Sequence, residues 1–79
     1  MSMQIYLRLH GALRDKLPDE NKGRITVLLP KETAVSTILA QFSLRGHIQV
    51  AINQEIIDNL DTILQDGDRI EVFRPAAGG

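Results

Sequence analysis

The group in this chain best suited to chemistry belongs to the main chain. Residues 78 and 79 are both glycine, so the sequence closes on an α-carboxylate with no side chain beside it. A terminal carboxyl has a pKa of about 3.5, so it is an anion at neutral pH and a poor electrophile until something activates it. Glycine lacks a Cβ, which lets a chain pass a narrow channel and bend where other residues clash. A Glu or Lys at the same place would carry a desolvation penalty into any closed site. The reactive position expected is therefore Gly79. Pro75, Ala76, Ala77 and Gly78 would form a thin uncharged tip that enters a partner's active site.

The side chains offer little that competes with it. There is no cysteine, which removes disulfides, thiolate metal sites and a thiol nucleophile together. His10 and His47 stand far apart with no acidic partner at ligand spacing, so structural or surface roles are expected and no metal site. Asp66 and Asp68 flank Gly67 without the twelve-residue calcium-loop pattern, and read as a tight turn. Ser36, Thr37 and Ser43 have no base near them in sequence, so no catalytic nucleophile is assigned. No glycine-rich phosphate cradle is present, so ATP and other cofactors are not expected to bind this chain unaided. The expectation is a carrier rather than an enzyme, with the catalysis done by its partners.

Composition sets the frame. The chain has 79 residues, one small domain, divided as a folded part over 1–74 and a tail over 75–79. An apolar fraction of 43% argues against disorder. The net charge is −1, with both signs mixed and no basic stripe, so no nucleic-acid partner is expected. Met1-Ser2-Met3-Gln4 lacks the regions of a signal peptide, and no apolar run approaches membrane-spanning length. These features predict a soluble cytoplasmic protein with no membrane partner.

The elements that must position the tip follow from periodicity. Residues 3–10 alternate: Met3, Ile5, Leu7 and Leu9 point one way, and Gln4, Tyr6, Arg8 and His10 the other. Residues 11–23 are polar and predict a connecting loop, with one helical turn possible at its start. Residues 24–29 alternate again, with Ile25, Val27 and Leu29 on one face, and Pro30 ends that strand. Val35, Ile38, Leu39 and Phe42 then form one helical stripe, which predicts a helix over about 34–44. Thr33 is its expected N-cap and Gly46 its expected left-handed terminator. Ile48, Val50 and Ile52 predict a third strand, Asn53-Gln54 a turn, and Glu55-Ile56-Ile57 a short returning strand. Residues 58–64 read as a loop or a single helical turn, with Leu60 and Leu64 buried. Asp66-Gly67-Asp68 turns into a last strand over 69–73, with Ile70 and Val72 inward. One amphipathic helix cannot bury its stripe alone, so it must cross the apolar face of the sheet. The result is a two-layer α+β roll with the other sheet face open.

Four stretches resemble a known family. They are Ala12-Leu13-Arg14-Asp15, Thr33-Ala34-Val35 with Ile38-Leu39, Val50-Ala51-Ile52-Asn53-Gln54, and residues 64–73 followed by Gly78-Gly79. Together they resemble the MoaD/ThiS-type sulfur carriers, β-grasp proteins of ubiquitin-like fold. The long loop after the first strand leans toward the molybdopterin synthase small subunit rather than the thiazole-pathway carriers. Arg74-Pro75 departs from the Pro-Pro pair that those subunits often carry.

The resemblance implies a mixed four- to five-stranded sheet with one helix, its first and last strands parallel at the centre. It implies that an adenylating, ubiquitin-activating-like enzyme uses ATP to convert the Gly79 carboxylate to an acyl-adenylate. A sulfur donor would then make a thiocarboxylate for cofactor biosynthesis with a synthase large subunit, for molybdopterin more than for thiamine. The same tail would also serve a ubiquitin-like modifier conjugated to lysines. On such a sheet Phe73, Tyr6, Arg8, Leu28 and Ala51 take outward positions, and with Arg74 they make the expected partner-binding face.

Overall fold

The computed structural model describes residues 2–75. Strand β1 (Ser2–Leu9) is followed by two short 3₁₀ turns, Gly11–Lys16 and Asp19–Asn21, and then by β2 (Arg24–Pro30). Helix α1 (Val35–Gln41) comes next, then β3 (Gln49–Ile52), β4 (Glu55–Ile57) and β5 (Arg69–Phe73). The five strands form one sheet in the order β2-β1-β5-β3-β4. β1 and β5 are parallel, and the other neighbours are antiparallel. This mixed sheet with one helix is the β-grasp roll expected.

The period-2 reading holds residue by residue on β1. Met3, Ile5, Leu7 and Leu9 are buried while Ser2, Gln4, Tyr6 and Arg8 are exposed. Ile70 and Val72 are fully buried between them and the helix stripe of Val35, Ile38 and Leu39. Leu13 and Leu17 close one end of this core from the 3₁₀ segment, whose apolar residues are too few to show a period.

The helix ends differ from expectation, and both differences have backbone causes. α1 is shorter than 34–44, and Thr33 is not its cap. Thr33 Oγ1 donates instead to the Pro30 carbonyl at 2.6 Å. The first helical N–H groups find main-chain acceptors on the returning loop. Val35 N–H donates to Thr62 O at 3.0 Å and Ser36 N–H to Leu60 O at 2.9 Å. At the other end the left-handed residue is Ser43, with φ 55°, rather than Gly46. Ser43 N–H bonds to Ala40 O at 3.1 Å and Leu44 N–H to Leu39 O at 2.8 Å, the two bonds of a Schellman motif. Buried Leu44 sits where that motif places an apolar contact.

Leu64 is buried, but Leu60 is 37% exposed: its carbonyl serves the helix and its side chain does not enter the core. Asn53 and Gln54 both have positive φ, 52° and 73°, as a two-residue type I′ hairpin requires. Gly67, at φ 87°, is the third residue of a turn closed by Asp68 N–H to Gln65 O at 3.0 Å.

Candidate functional site

The position expected to react, Gly79, and the tip residues Ala76, Ala77 and Gly78 lie outside the described residues. What the structure does describe is the platform from which they leave. β5 is bonded on both sides, to β1 and to β3, so its C-terminal end issues from the middle of the sheet. The ladder to β1 continues past that strand's end, through His10 N–H to Val72 O at 3.1 Å.

His10 fixes the end of β5 a second time. Its Nε2 lies 2.8 Å from Glu71 Oε2. Its ring stands edge-on to Phe73, with centroids 6.0 Å apart and planes at 89°. Phe73 is half-buried as a result, and its ring is held at the point where the chain turns into Arg74 and Pro75. The sequence reading gave His10 only a structural or surface role. The missing signal was register: Arg8 pairs with Glu71 in the parallel ladder, so His10 falls level with Phe73.

The open face is built from the residues that alternate away from α1. Gln4, Tyr6 and Arg8 lie on β1, with Leu28, Thr26 and Arg24 opposite them on β2. Arg69, Glu71 and Phe73 lie on β5. Tyr6 is 40% exposed, with the Arg69 guanidinium carbon 6.0 Å from its ring centroid. Arg8 and Phe73 are two residues apart along the strand direction, about 7 Å, so they can meet one partner element.

Three expected members of this face sit differently. Leu28 is 70% exposed but pairs with Gln4, six residues from the level of Phe73, which is about 20 Å along the sheet. Ala51 points outward but is only 5% exposed, because its small side chain lies between Ile56 and Glu71 on the flanking strands. It offers a partner almost nothing. Arg74 alternates to the opposite side, where its guanidinium lies beside Gly46. It is exposed, but it belongs to the edge of the tail root rather than to the open face.

A groove of about 810 Å³ crosses this face from the start of β2, over β1 and β5, to the β3–β4 turn. Its charged lining is Arg8, Arg24, Arg69 and Glu71, and Asn21 and Gln54 stand at its ends. Sequence reasoning singled out only Arg8 of the three arginines. Among the described residues no cluster of three or more His, Cys, Asp or Glu is placed to hold a metal ion. Among them, too, no helix is long and apolar enough to cross a membrane.

Sheet order, the parallel central pair and the single crossing helix define a small ubiquitin-like β-grasp protein. The family model described as the ThiS family matches residues 8–79. The chain belongs to the ThiS family, whose members are small ubiquitin-like carriers. A comparison with curated proteins found no match.

Solved structures share the fold. A putative molybdopterin converting factor subunit 1 from Pyrococcus furiosus superposes with a TM-score of 0.77 at 18% identity, covering 95% of this chain and 100% of that one. A chain of the complex of subunits 1 and 2 of the molybdopterin-converting factor from Helicobacter pylori gives 0.66 at 26% identity, covering 98% and 100%. Small archaeal modifier protein 1 from H. volcanii gives 0.75 at 18%, covering 94% and 99%.

Proposed function

We propose that this chain is a sulfur carrier whose reactive group is the Gly79 carboxylate, serving molybdopterin formation rather than thiazole formation. The observation that carries this reading is the family match, which runs through Gly79 and so takes in the Gly78-Gly79 ending that follows β5. The likeness to a chain of the H. pylori complex, at 26% identity over 98% of this chain, supports the molybdopterin branch and a synthase large subunit as partner.

The chemistry needs two partners and little from this chain. A carboxylate oxygen of Gly79 attacks the α-phosphorus of ATP on an adenylating enzyme, and pyrophosphate leaves. The acyl-adenylate carbon is then an electrophile. A hydrosulfide-equivalent donor attacks it, the C–S bond forms, and AMP departs with the acyl oxygen–phosphorus bond intact. The thiocarboxylate that results is the cargo. This chain supplies reach and position. Pro75, Ala76, Ala77 and Gly78 present no charge to a closed channel. Phe73, braced by His10, gives the partner a fixed apolar contact where the tail begins, with Arg8 about 7 Å and Tyr6 about 13 Å back along the sheet and Arg74 at the edge.

The test is intact mass after incubation with an adenylating enzyme, ATP and a sulfur donor. The expected product is the full chain with one oxygen replaced by sulfur at residue 79. No acyl-adenylate and no sulfur at that residue would sink the reading. The shared fold of small archaeal modifier protein 1 favours a second reading, conjugation to lysines. Slow-migrating adducts that disappear on deletion of Gly79, without thiocarboxylate, would establish that one instead.

A further inference from the structure

We infer that the groove across β1, β2 and β5 is a second recognition site, built for a partner-protein segment carrying two or three carboxylates. It does not rest on the chemistry of Gly79, since it is formed wholly by the open face.

The first observation is a like-charge pair kept in the sheet. Arg8 and Arg24 lie directly opposite in the β1–β2 ladder, where Cβ atoms stand about 5 Å apart and like charges oppose pairing. Arg69 comes from β5, on the far side of β1, and faces the same groove.

The second observation is that the neighbouring acids, Glu71 through Oε2 and Asp68 through both oxygens, have other partners. Glu71 Oε2 is hydrogen-bonded to His10 Nε2 at 2.8 Å, the one contact under 4 Å between a carboxylate and a basic side chain among the described residues. Asp68, beside Arg69 in sequence, is buried. Its Oδ2 accepts from Gln65 N–H at 2.8 Å and its Oδ1 from Asn53 Nδ2 at 3.0 Å. Arg8, Arg24 and Arg69 therefore make no ion pair among the described residues.

The geometry selects the occupant. The three arginines leave the backbone from three adjacent strands, spread over about 10 Å, and the Arg69 guanidinium is held over Tyr6, an arrangement that suits separate anionic groups better than one. There is no glycine-rich cradle of N–H groups to hold a phosphate between them. A single-stranded nucleic acid would need an aromatic face for stacking, and the one aromatic in the groove lining, Tyr6, has Arg69 over its ring. A guanidinium fork matches one carboxylate at a time, and a stacked guanidinium keeps its N–H edges free. Carboxylates set several ångströms apart on a protein segment fit all three.

The experiment is a titration of the full chain, followed by amide NMR shifts, with hexaglutamate, hexaglutamine, inorganic triphosphate and a short single-stranded RNA. Hexaglutamate is expected to move the amides of residues 6–8, 24–26 and 69–71, and binding should weaken steeply as salt rises past about 0.1 M. Replacing Arg8 and Arg24 together by Gln should weaken it about tenfold. Arg24→Glu should weaken it at least as much while raising Tm by roughly 1–5 °C, since a like-charge pair becomes an opposite one. Equal shifts with hexaglutamine, tighter binding of triphosphate or RNA, or an Arg24→Glu variant that loses stability along with binding would each overturn the proposal.

Discussion

The two faces of the sheet are made by alternate residues of the same strands, yet they do opposite work. On β1, Met3, Ile5, Leu7 and Leu9 are sealed under α1, while Gln4, Tyr6 and Arg8 meet solvent. On β5, Ile70 and Val72 are sealed, while Arg69 and Glu71 are not. Stability resides on one side, and the recognition proposed for this chain falls on the other, one residue apart. A domain of this size has on the order of 4–12 kcal/mol in total, so the division should be sharp in mutants.

The largest effect should come from the helix side. Ile5 is fully buried at the centre of β1. Ile5→Ala removes most of a side chain from a packed core and should cost about 2–5 kcal/mol, a large share of the total. Chemical denaturation measures it directly. A loss below about 1 kcal/mol would mean the sealed face does not carry the fold.

Next comes the residue that lets β2 enter beside β1. Gly23 has φ 77°, and a Cβ there would meet the Leu9 carbonyl oxygen at 2.6 Å. That carbonyl is main chain, so neither the strain nor the contact is relieved cheaply. The Gly23 carbonyl also accepts Leu9 N–H at 2.7 Å. Gly23→Ala should cost about 2 kcal/mol or more and disturb the opposition of Arg8 and Arg24. Denaturation together with the β1–β2 amide exchange rates checks both parts.

How much of this division is legible in the sequence depends on which interaction sets each feature. Strand faces follow from alternation, so Ile5, Ile70 and Val72 are readable inward and Tyr6 and Arg8 outward. Helix ends are not, because the competing acceptors come from far along the chain. Thr33 has the right side chain for a cap, but Thr62 and Leu60 carbonyls reach the helix first. Ser43 closes the helix although Gly46 is the better left-handed residue, because Leu44 must return to the core. At the site, Phe73 and Tyr6 are readable from parity alone. The His10 brace and the three-arginine groove need the register of the parallel β1–β5 ladder and of the β1–β2 pair. Burial of Ala51 needs the size of its neighbours, which alternation does not encode.

Phe73 tests the boundary between the faces, since it is outward yet half-buried by its contact with His10. Phe73→Ala should cost about 1–2 kcal/mol, less than the core change, because only part of the ring leaves an apolar environment. Affinity for a synthase large subunit, measured by calorimetry, should fall more than tenfold if the ring anchors the tail root. A stability loss equal to that of Ile5→Ala would move Phe73 into the core and erase the distinction at this end of the sheet.

The smallest effect is expected at Leu28, and its smallness is informative. Among the described residues Leu28 is the most exposed of the large apolar side chains at 70%, and it lies at the opposite end of the open face from Phe73. Leu28→Ser should change stability by less than about 0.5 kcal/mol, as for surface positions without special contacts. If a partner grips only the tail root, the same variant should bind it as the parent does, because about 20 Å of sheet separates the two positions. A loss matching that of Phe73→Ala would instead show a footprint covering the whole open face. The arginine groove between the two ends would then lie inside one continuous interface rather than beside it.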